Sequence, residues 1–342
     1  MRDPWAEFET VEPDDPWAEF EEVKPDKKRP KRKRRDTPTI SEGDTLSNPQ
    51  ATDGDTIRAQ QGPVRLVGVD APELAQIDNL LVDGAEGPLK ARLYTPLAAG
   101  IGQQPAILFF HGGGFVVGDL DSHEMICVRL AHAARCRVIS IDYRLAPEHK
   151  FPCAHEDALA VYDWVMRRAP DLMIDPERVA VAGDSAGGNL AAYLAQELPR
   201  RESIPPALQV LFYPLLQFVD IKSRGLTFQE GFFISPGLFD FFRSSYLGKD
   251  ADPMDPRISP LFCSASDLAG IAPAHIVLCG WDPLNAEGKA YADKLAAAGV
   301  PVTLTEHPGM VHGFMNLTAI SVPARDAITE AGRKIGETLG SL

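Results

Sequence analysis

An α/β fold, with a mostly parallel central sheet, helices on both faces and a cap above it, follows from three features of residues 77–342. Short continuous runs of Val, Ile, Leu and Phe recur along this stretch, and between them the apolar residues switch to helical spacing. Runs without polar alternation mark strands buried on both faces, which a sheet achieves only when helices cover each side. The third feature is one interval, residues 215–249, too long and too aromatic for a simple crossover between strands, and that excess supplies the cap.

In chain order the predicted strands are AILFF (106–110), RVISIDY (137–143), RVAVAG (178–183), LQVLFYP (208–214), HIVLCG (275–280) and VTLTEH (302–307). Between the second and third, HEDALAVYDWVMRRA has helical spacing of its apolar residues and an acidic first turn, where a helix dipole favours negative charge.

Two unlike pieces precede this body. Residues 1–47 carry DPWAEF twice, at Asp3–Phe8 and Asp15–Phe20, then KKRPKRKRR from Lys27 to Arg35. With so few branched apolar residues they cannot bury a core, and a disordered, solvated tail is expected rather than a docking motif or a nucleic-acid patch. Residues 48–76 contain DGDTIRAQQGPVRLVGVDAPE (53–73), which resembles the opening of the thermonuclease (staphylococcal nuclease-like) family, DGDT followed by R-L-x-G-x-D-x-P-E. The resemblance implies Asp55 and Asp70 as calcium ligands, Glu73 as a base or water-positioning group and Arg65 as a phosphate clamp. It ends where the strand and helix pattern begins, and two or three strands cannot close a five-stranded barrel, so the fragment is not expected to be a complete domain or a working nuclease.

Chemistry concentrates at VAGDSAGGNLAAYLAQEL, Val181–Leu198, where a strand runs through G-D-S-A-G straight into an Ala/Leu-rich helix. This is the G-x-S-x-G nucleophile elbow. It places Ser185 on a tight turn, with Gly183 and Gly187 where a β-carbon would collide with neighbouring backbone. The hydroxyl then lies at a helix N-terminus, which favours developing negative charge. A serine hydroxyl needs a base, and the base an orienting carboxylate. Both are expected later in the chain, acid before histidine, at the C-terminal ends of strands. HIVLCG is followed by Trp281-Asp282-Pro283-Leu284 and VTLTEH by a loop containing His312, so Asp282 and His312 are the expected acid and base. His307, still on the strand, and Asp255 and Asp267 are the competitors. HGGG, His111–Gly114, follows AILFF, and a glycine-rich loop there presents bare backbone to the oxyanion of an acyl-transfer intermediate. The expected donors are the amides of Gly113, Gly114 and Ala186.

Together these segments resemble the hormone-sensitive lipase family of α/β-hydrolase esterases, the bacterial family IV carboxylesterases. The resemblance runs over residues 78–340 and includes HGGGFVVGD, DYRLAPEHKFP (142–152), GDSAGGN, DPRISPL (255–261), WDPLNAEG (281–288) and HGF (312–314). It implies a Ser185, Asp282, His312 triad, an oxyanion hole at Gly113, Gly114 and Ala186, and hydrolysis of short acyl esters without a cofactor. Two departures stand out. Asn285-Ala286 replaces the family's Arg-Asp in D-P-L-R-D-E-G, and the two N-terminal helices that usually complete the cap are replaced by the tail and the nuclease-like fragment.

Composition narrows the partners. A net charge of −14 and a pI near 5.0 disfavour general nucleic-acid binding, which needs a basic face. The five cysteines, at 127, 136, 153, 263 and 279, form no C-x-x-C pair, so no metal site or disulfide framework is indicated. With no apolar leader and no run of about 18 apolar residues, a cytoplasmic protein that does not enter membranes is expected. The expected partner is a small-molecule ester, and a homodimer is left open. Two other readings are a hydrolase-fold receptor resembling the plant gibberellin receptors, which lack the catalytic histidine present here as His312, and a nucleic-acid-associated protein led by residues 27–73. Amidase or lactonase chemistry would use the same triad.

Overall fold

The structure, a computed structural model, describes residues 71–100, 102–201, 203–219 and 234–342, together with the backbone of four short strands. Those are Thr39–Ile40 (β1), Gln50–Ala51 (β2), Thr56–Ala59 (β3) and Gly62–Leu66 (β4). The chain divides between Thr37 and Pro38, and everything described lies in the second unit. The DPWAEF repeat, the basic run, Asp55 and Asp70 lie outside the described residues, and of Arg65 only the backbone is described. Strands β1–β4 form a small sheet in the order β1-β4-β3-β2, with β1 parallel to β4 and the other pairs antiparallel. Glu73, in the short stretch leading into the next strand, is exposed.

The main sheet has eight strands: Leu74–Asp83 (β5), Pro88–Pro96 (β6), Gln104–Phe110 (β7), Arg137–Ile141 (β8), Ile174–Asp184 (β9), Leu208–Phe212 (β10), Ala274–Trp281 (β11) and Val302–Val311 (β12). Their order is β12-β11-β10-β9-β7-β8-β6-β5. The six strands expected from the sequence are β7–β12, all parallel to their neighbours within that set. Strands β5 and β6, which add an antiparallel edge, are not among the expected strands. The reason is physical. β5 lies at the margin and its burial roughly alternates, so it lacks the continuous apolar run of a strand covered on both faces.

Among the described residues six α-helices complete the layers: Glu124–Ala134 (α1), Cys153–Arg168 (α2), Ala186–Glu197 (α3), Pro236–Tyr246 (α4), Asn285–Ala297 (α5) and Val322–Leu339 (α6). Within β7, Leu108 and Phe110 pack into the cluster that holds α2, α3 and α5, whereas Ile107 and Phe109 enter the one that holds α1 and α6. A strand feeding both clusters needs apolar residues at every position, which is why AILFF has no polar interruption. Within the expected cap interval, residues 215–219 and 234–249 are described and contain α4. Among the described residues no helix precedes β5, and none is long and apolar enough to cross a membrane. All five cysteines are free.

Because β7, β9, β11 and β12 run parallel, their C-terminal ends open on one edge of the sheet. The HGGG loop, Ser185, Asp282 and His312 each follow one of those ends.

Candidate active site

Strand β9 ends at Asp184 and α3 begins at Ala186, leaving Ser185 alone at the turn with φ 53° and ψ −115°. A non-glycine residue held there costs on the order of 1–3 kcal/mol, which the surrounding packing must offset. The two flanking glycines make that packing possible. A β-carbon on Gly187 would stand 1.9 Å from the Phe110 carbonyl oxygen at the end of β7, and one on Gly183 would stand 2.3 Å from the Gly187 carbonyl. Strand, helix and neighbouring strand therefore close tightly around the serine, as the G-x-S-x-G spacing predicts.

His312 stands on the loop just past β12, with Nε2 2.9 Å from Ser185 Oγ. Its Nδ1 lies 2.9 Å from Asp282 Oδ2 at the end of β11. The other carboxylate oxygen, Oδ1, accepts the Leu284 N–H at 2.8 Å, so the acid is held from the side away from the ring. All three side chains are buried, at 8% exposure for Ser185, 3% for Asp282 and 7% for His312. The Tyr213 ring meets the imidazole edge-on, with centroids 4.8 Å apart. With Nδ1–H donated to the carboxylate, Nε2 presents its lone pair to the Ser185 hydroxyl. The competitors lie elsewhere. His307 is within β12 opposite Cys279, Asp255 pairs with Arg257, and Asp267 pairs with Arg200.

Beside Ser185 lies the Gly112–Gly114 strap. Gly113 O accepts the N–H groups of Val116 and Val117, both at 3.0 Å, while the N–H groups of Gly113 and Gly114 have no hydrogen-bond partner among the described residues. The N–H of Ala186, in the first turn of α3, has no acceptor within its helix. The glycines meet a second need. Gly113 has φ 118° and Gly114 φ 61°, and added β-carbons would stand 2.0 Å from the Val117 carbonyl oxygen and 2.3 Å from the Phe242 ring. The strap is glycine-rich because it turns on itself and passes beneath the cap, as well as because it presents bare amides.

Two further segments fix the strap. His111 is buried, stacks on Tyr143 with centroids 4.4 Å apart, and places Nδ1 2.8 Å from Gly112 O. The Tyr143 hydroxyl donates to His111 O at 2.7 Å, so DYRLAPEHKFP supports this loop, a role its sequence does not reveal. Burial pulls the His111 pKa down to about 4, and the ring is neutral around pH 7. From the elbow, buried Asp184 accepts the Gly112 N–H at 2.8 Å through Oδ1, and His123 Nε2 lies 3.4 Å from the same oxygen. Burial pushes the Asp184 pKa up, but His123, His111 and the Gly112 amide outweigh it, and the carboxyl stays below the usual range.

Above Ser185 and His312 opens a cavity of about 360 Å³. Its apolar wall includes Leu215, Phe218, Ile234, Leu238, Phe239 and Phe242. Of the phenylalanines in the cap interval, Phe218, Phe239 and Phe242 line this wall, whereas Phe241 turns to solvent and touches Phe242. Phe232 and Phe233 lie outside the described residues. Helix α4 is fixed at both ends. The Ser235 hydroxyl accepts the Leu238 N–H at its start, and Lys150 Nζ donates to the carbonyls of Ser244, Ser245 and Leu247 at its end. Where the family motif departs, Asn285 donates to Cys279 O and Glu306, and buried Glu287 accepts the Leu216 N–H at 2.7 Å, tying the helix after the acid to the root of the cap.

Residues 107–316 match the family model described as alpha/beta hydrolase fold. A carboxylic ester hydrolase of Mycobacterium tuberculosis, LipN, is 43% identical over 273 residues, covering 77% of this chain and 71% of its own length. An ethyl acetate hydrolase of Pseudomonas putida is 38% identical over 270 residues, covering 77% and 83% respectively. Among solved structures, the thermophilic carboxylesterase EstE1, cloned from a metagenomic library, is similar with a TM-score of 0.75 at 36% identity, over 79% of this chain and 92% of that one. The family match begins within β7, beyond the nuclease-like stretch, whose resemblance to thermonucleases gains no support.

Proposed function

This chain belongs to the alpha/beta hydrolase fold family, and from that premise we propose that it hydrolyses short-chain carboxylic esters with Ser185 as nucleophile, His312 as base and Asp282 as orienting acid. The observation that carries the reading is the unbroken line Asp282–His312–Ser185, with 2.9 Å at each contact. The serine oxygen attacks the ester carbonyl carbon while its proton passes to His312 Nε2. The carbonyl oxygen becomes an oxyanion, met by the free N–H groups of Gly113, Gly114 and Ala186. Collapse of this intermediate breaks the bond to the alcohol, which leaves with the proton held by His312, and the acyl group stays on Ser185. A water molecule then gives its proton to His312 and attacks the acyl carbon, releasing the acid and restoring the serine. No step calls for a metal or an organic cofactor.

The cavity supports the restriction to short acyl chains. Its aromatic and aliphatic wall rewards each buried methylene with about 0.8 kcal/mol until the space is filled. In a series of aryl esters, kcat/KM is expected to be highest within roughly two to eight acyl carbons and to fall beyond, with little activity on long-chain triglycerides. Equal rates on butyrate and palmitate esters would sink this account of the pocket. The same assay separates an enzyme from a receptor of the same fold. An enzyme shows turnover that is lost in Ser185→Ala, and a receptor shows none.

A further inference from the structure

The G-x-S-x-G turn demands small residues beside the serine but places no demand on the residue just before it. Here that residue is Asp184, 2% exposed, a carboxylate that shares the cavity with Ser185. A buried negative charge in that place opposes the charge that develops in the reaction, so it needs a compensating role. Its contacts supply one. Oδ1 accepts the N–H of Gly112 at 2.8 Å, and a β-carbon on Gly112 would stand 2.4 Å from Oδ2, so the strap is drawn flat against the carboxylate. The same Oδ1 faces His123 Nε2 at 3.4 Å. His123 Nδ1 lies 3.0 Å from Ser122 Oγ, and Ser122 sits in a turn closed by Asp119, whose N–H donates to that hydroxyl. A hydrogen-bonded line thus runs from the Asp119 turn through Ser122 and His123 to Asp184 and Gly112, behind the strap that carries the free amides.

We propose that Asp184 is a positioning residue that locks the Gly112–Gly114 strap to the nucleophile elbow, so that the Gly113 and Gly114 amides are aimed at the oxyanion before substrate arrives. This rests on the ester-hydrolysis reading above. The strap follows β7 and the nucleophile follows β9, 72 residues apart in the chain, so their relative position must be fixed by tertiary contacts. Asp184 reaches from the very turn that holds Ser185, and a displacement of the strap is felt at the hole directly. The role belongs to the acceptor oxygen. An asparagine of the same shape, with its oxygen at Oδ1, still accepts from Gly112 and His123, whereas alanine accepts from neither.

The test compares Asp184→Asn, Asp184→Ala and Asp184→Ser in the full chain with a short aryl ester. Loss of a single oxyanion donor costs about 10²–10³ in kcat, and a misaimed pair is expected to cost roughly tenfold to a hundredfold in the alanine and serine variants. KM stays within about threefold in both, because the apolar wall is untouched. The asparagine variant keeps kcat within about threefold of wild type, and affinity for a trifluoromethyl ketone, which binds as a tetrahedral oxyanion, falls in step with kcat/KM across the series. The serine variant keeps a polar group in the space, so the comparison holds if alanine fails to fold. A series in which only Tm falls while kcat is kept would overturn the inference, as would an asparagine variant as slow as alanine. Wild-type protein that releases no phenol from any short aryl ester would sink the esterase reading and the positioning role with it.

Discussion

Replacing Ser185 by alanine is expected to lower kcat by about 10⁴ or more, and His312→Ala to do the same, because nucleophile and base act as one unit. The geometry makes the loss of each equivalent. Without Oγ nothing remains for His312 Nε2 to deprotonate, and without the ring the serine proton has no acceptor at 2.9 Å. The double variant is therefore expected to be no slower than either single one, with a residual rate over water that the strap amides and the apolar wall still support. Steady-state kinetics on a short aryl ester, with folding checked by circular dichroism, decide the matter. More than a few per cent of wild-type kcat in both single variants would remove these residues from the mechanism.

Asp282→Asn should be nearly as damaging, at about 10⁴ in kcat, for a reason visible in the two sides of the carboxylate. Oδ1 accepts the Leu284 N–H and Oδ2 accepts the Nδ1–H of His312. An asparagine keeps its oxygen toward Leu284, so its amide NH₂ faces Nδ1, which must then carry a lone pair. The ring proton moves to Nε2, pointing at Ser185, and the base is lost although shape and size are unchanged. Asp267→Asn is the control. That residue makes a surface pair with Arg200, and its loss should leave kcat at the wild-type level. If Asp267→Asn were the damaging change and Asp282→Asn mild, the assignment of the acid would be wrong.

The residues of the site were readable because each announces itself locally. Ser185 stands between a Val/Ala strand and an Ala-rich helix, and Asp282 and His312 each follow an expected strand in the order the chemistry requires. The pocket wall was less readable. Phe241 and Phe242 are adjacent in sequence, yet one faces solvent and the other roofs the strap, a difference set by how α4 lies on the core. Leu215 and Phe218 enter the wall from the exit of β10, where nothing in their spacing marks them. The Asp184 and His123 contacts were unreadable for a similar reason, since they join segments that no local period relates. Strands β5 and β6 escaped because β5 lies at the margin with mixed burial and β6, PLKARLYTP, interrupts its apolar residues with Lys90 and Arg92, so neither shows a continuous run.

One consequence concerns heat. The imidazole of the proposed base, His312, hangs from β12, an edge strand that among the described residues is hydrogen-bonded in the sheet to β11 alone. Ser185, by contrast, is planted at the end of β9, deep in the middle with β7 and β10 on either side. Marginal elements open at lower free energy than central ones, so the two partners do not share one melting behaviour. Peeling β12 away parts the base from the nucleophile while the interior stays assembled. Turnover is therefore expected to fade at temperatures where the bulk of the molecule remains native and to return on cooling as that strand re-forms, which activity and circular dichroism followed on one heating and cooling ramp would check.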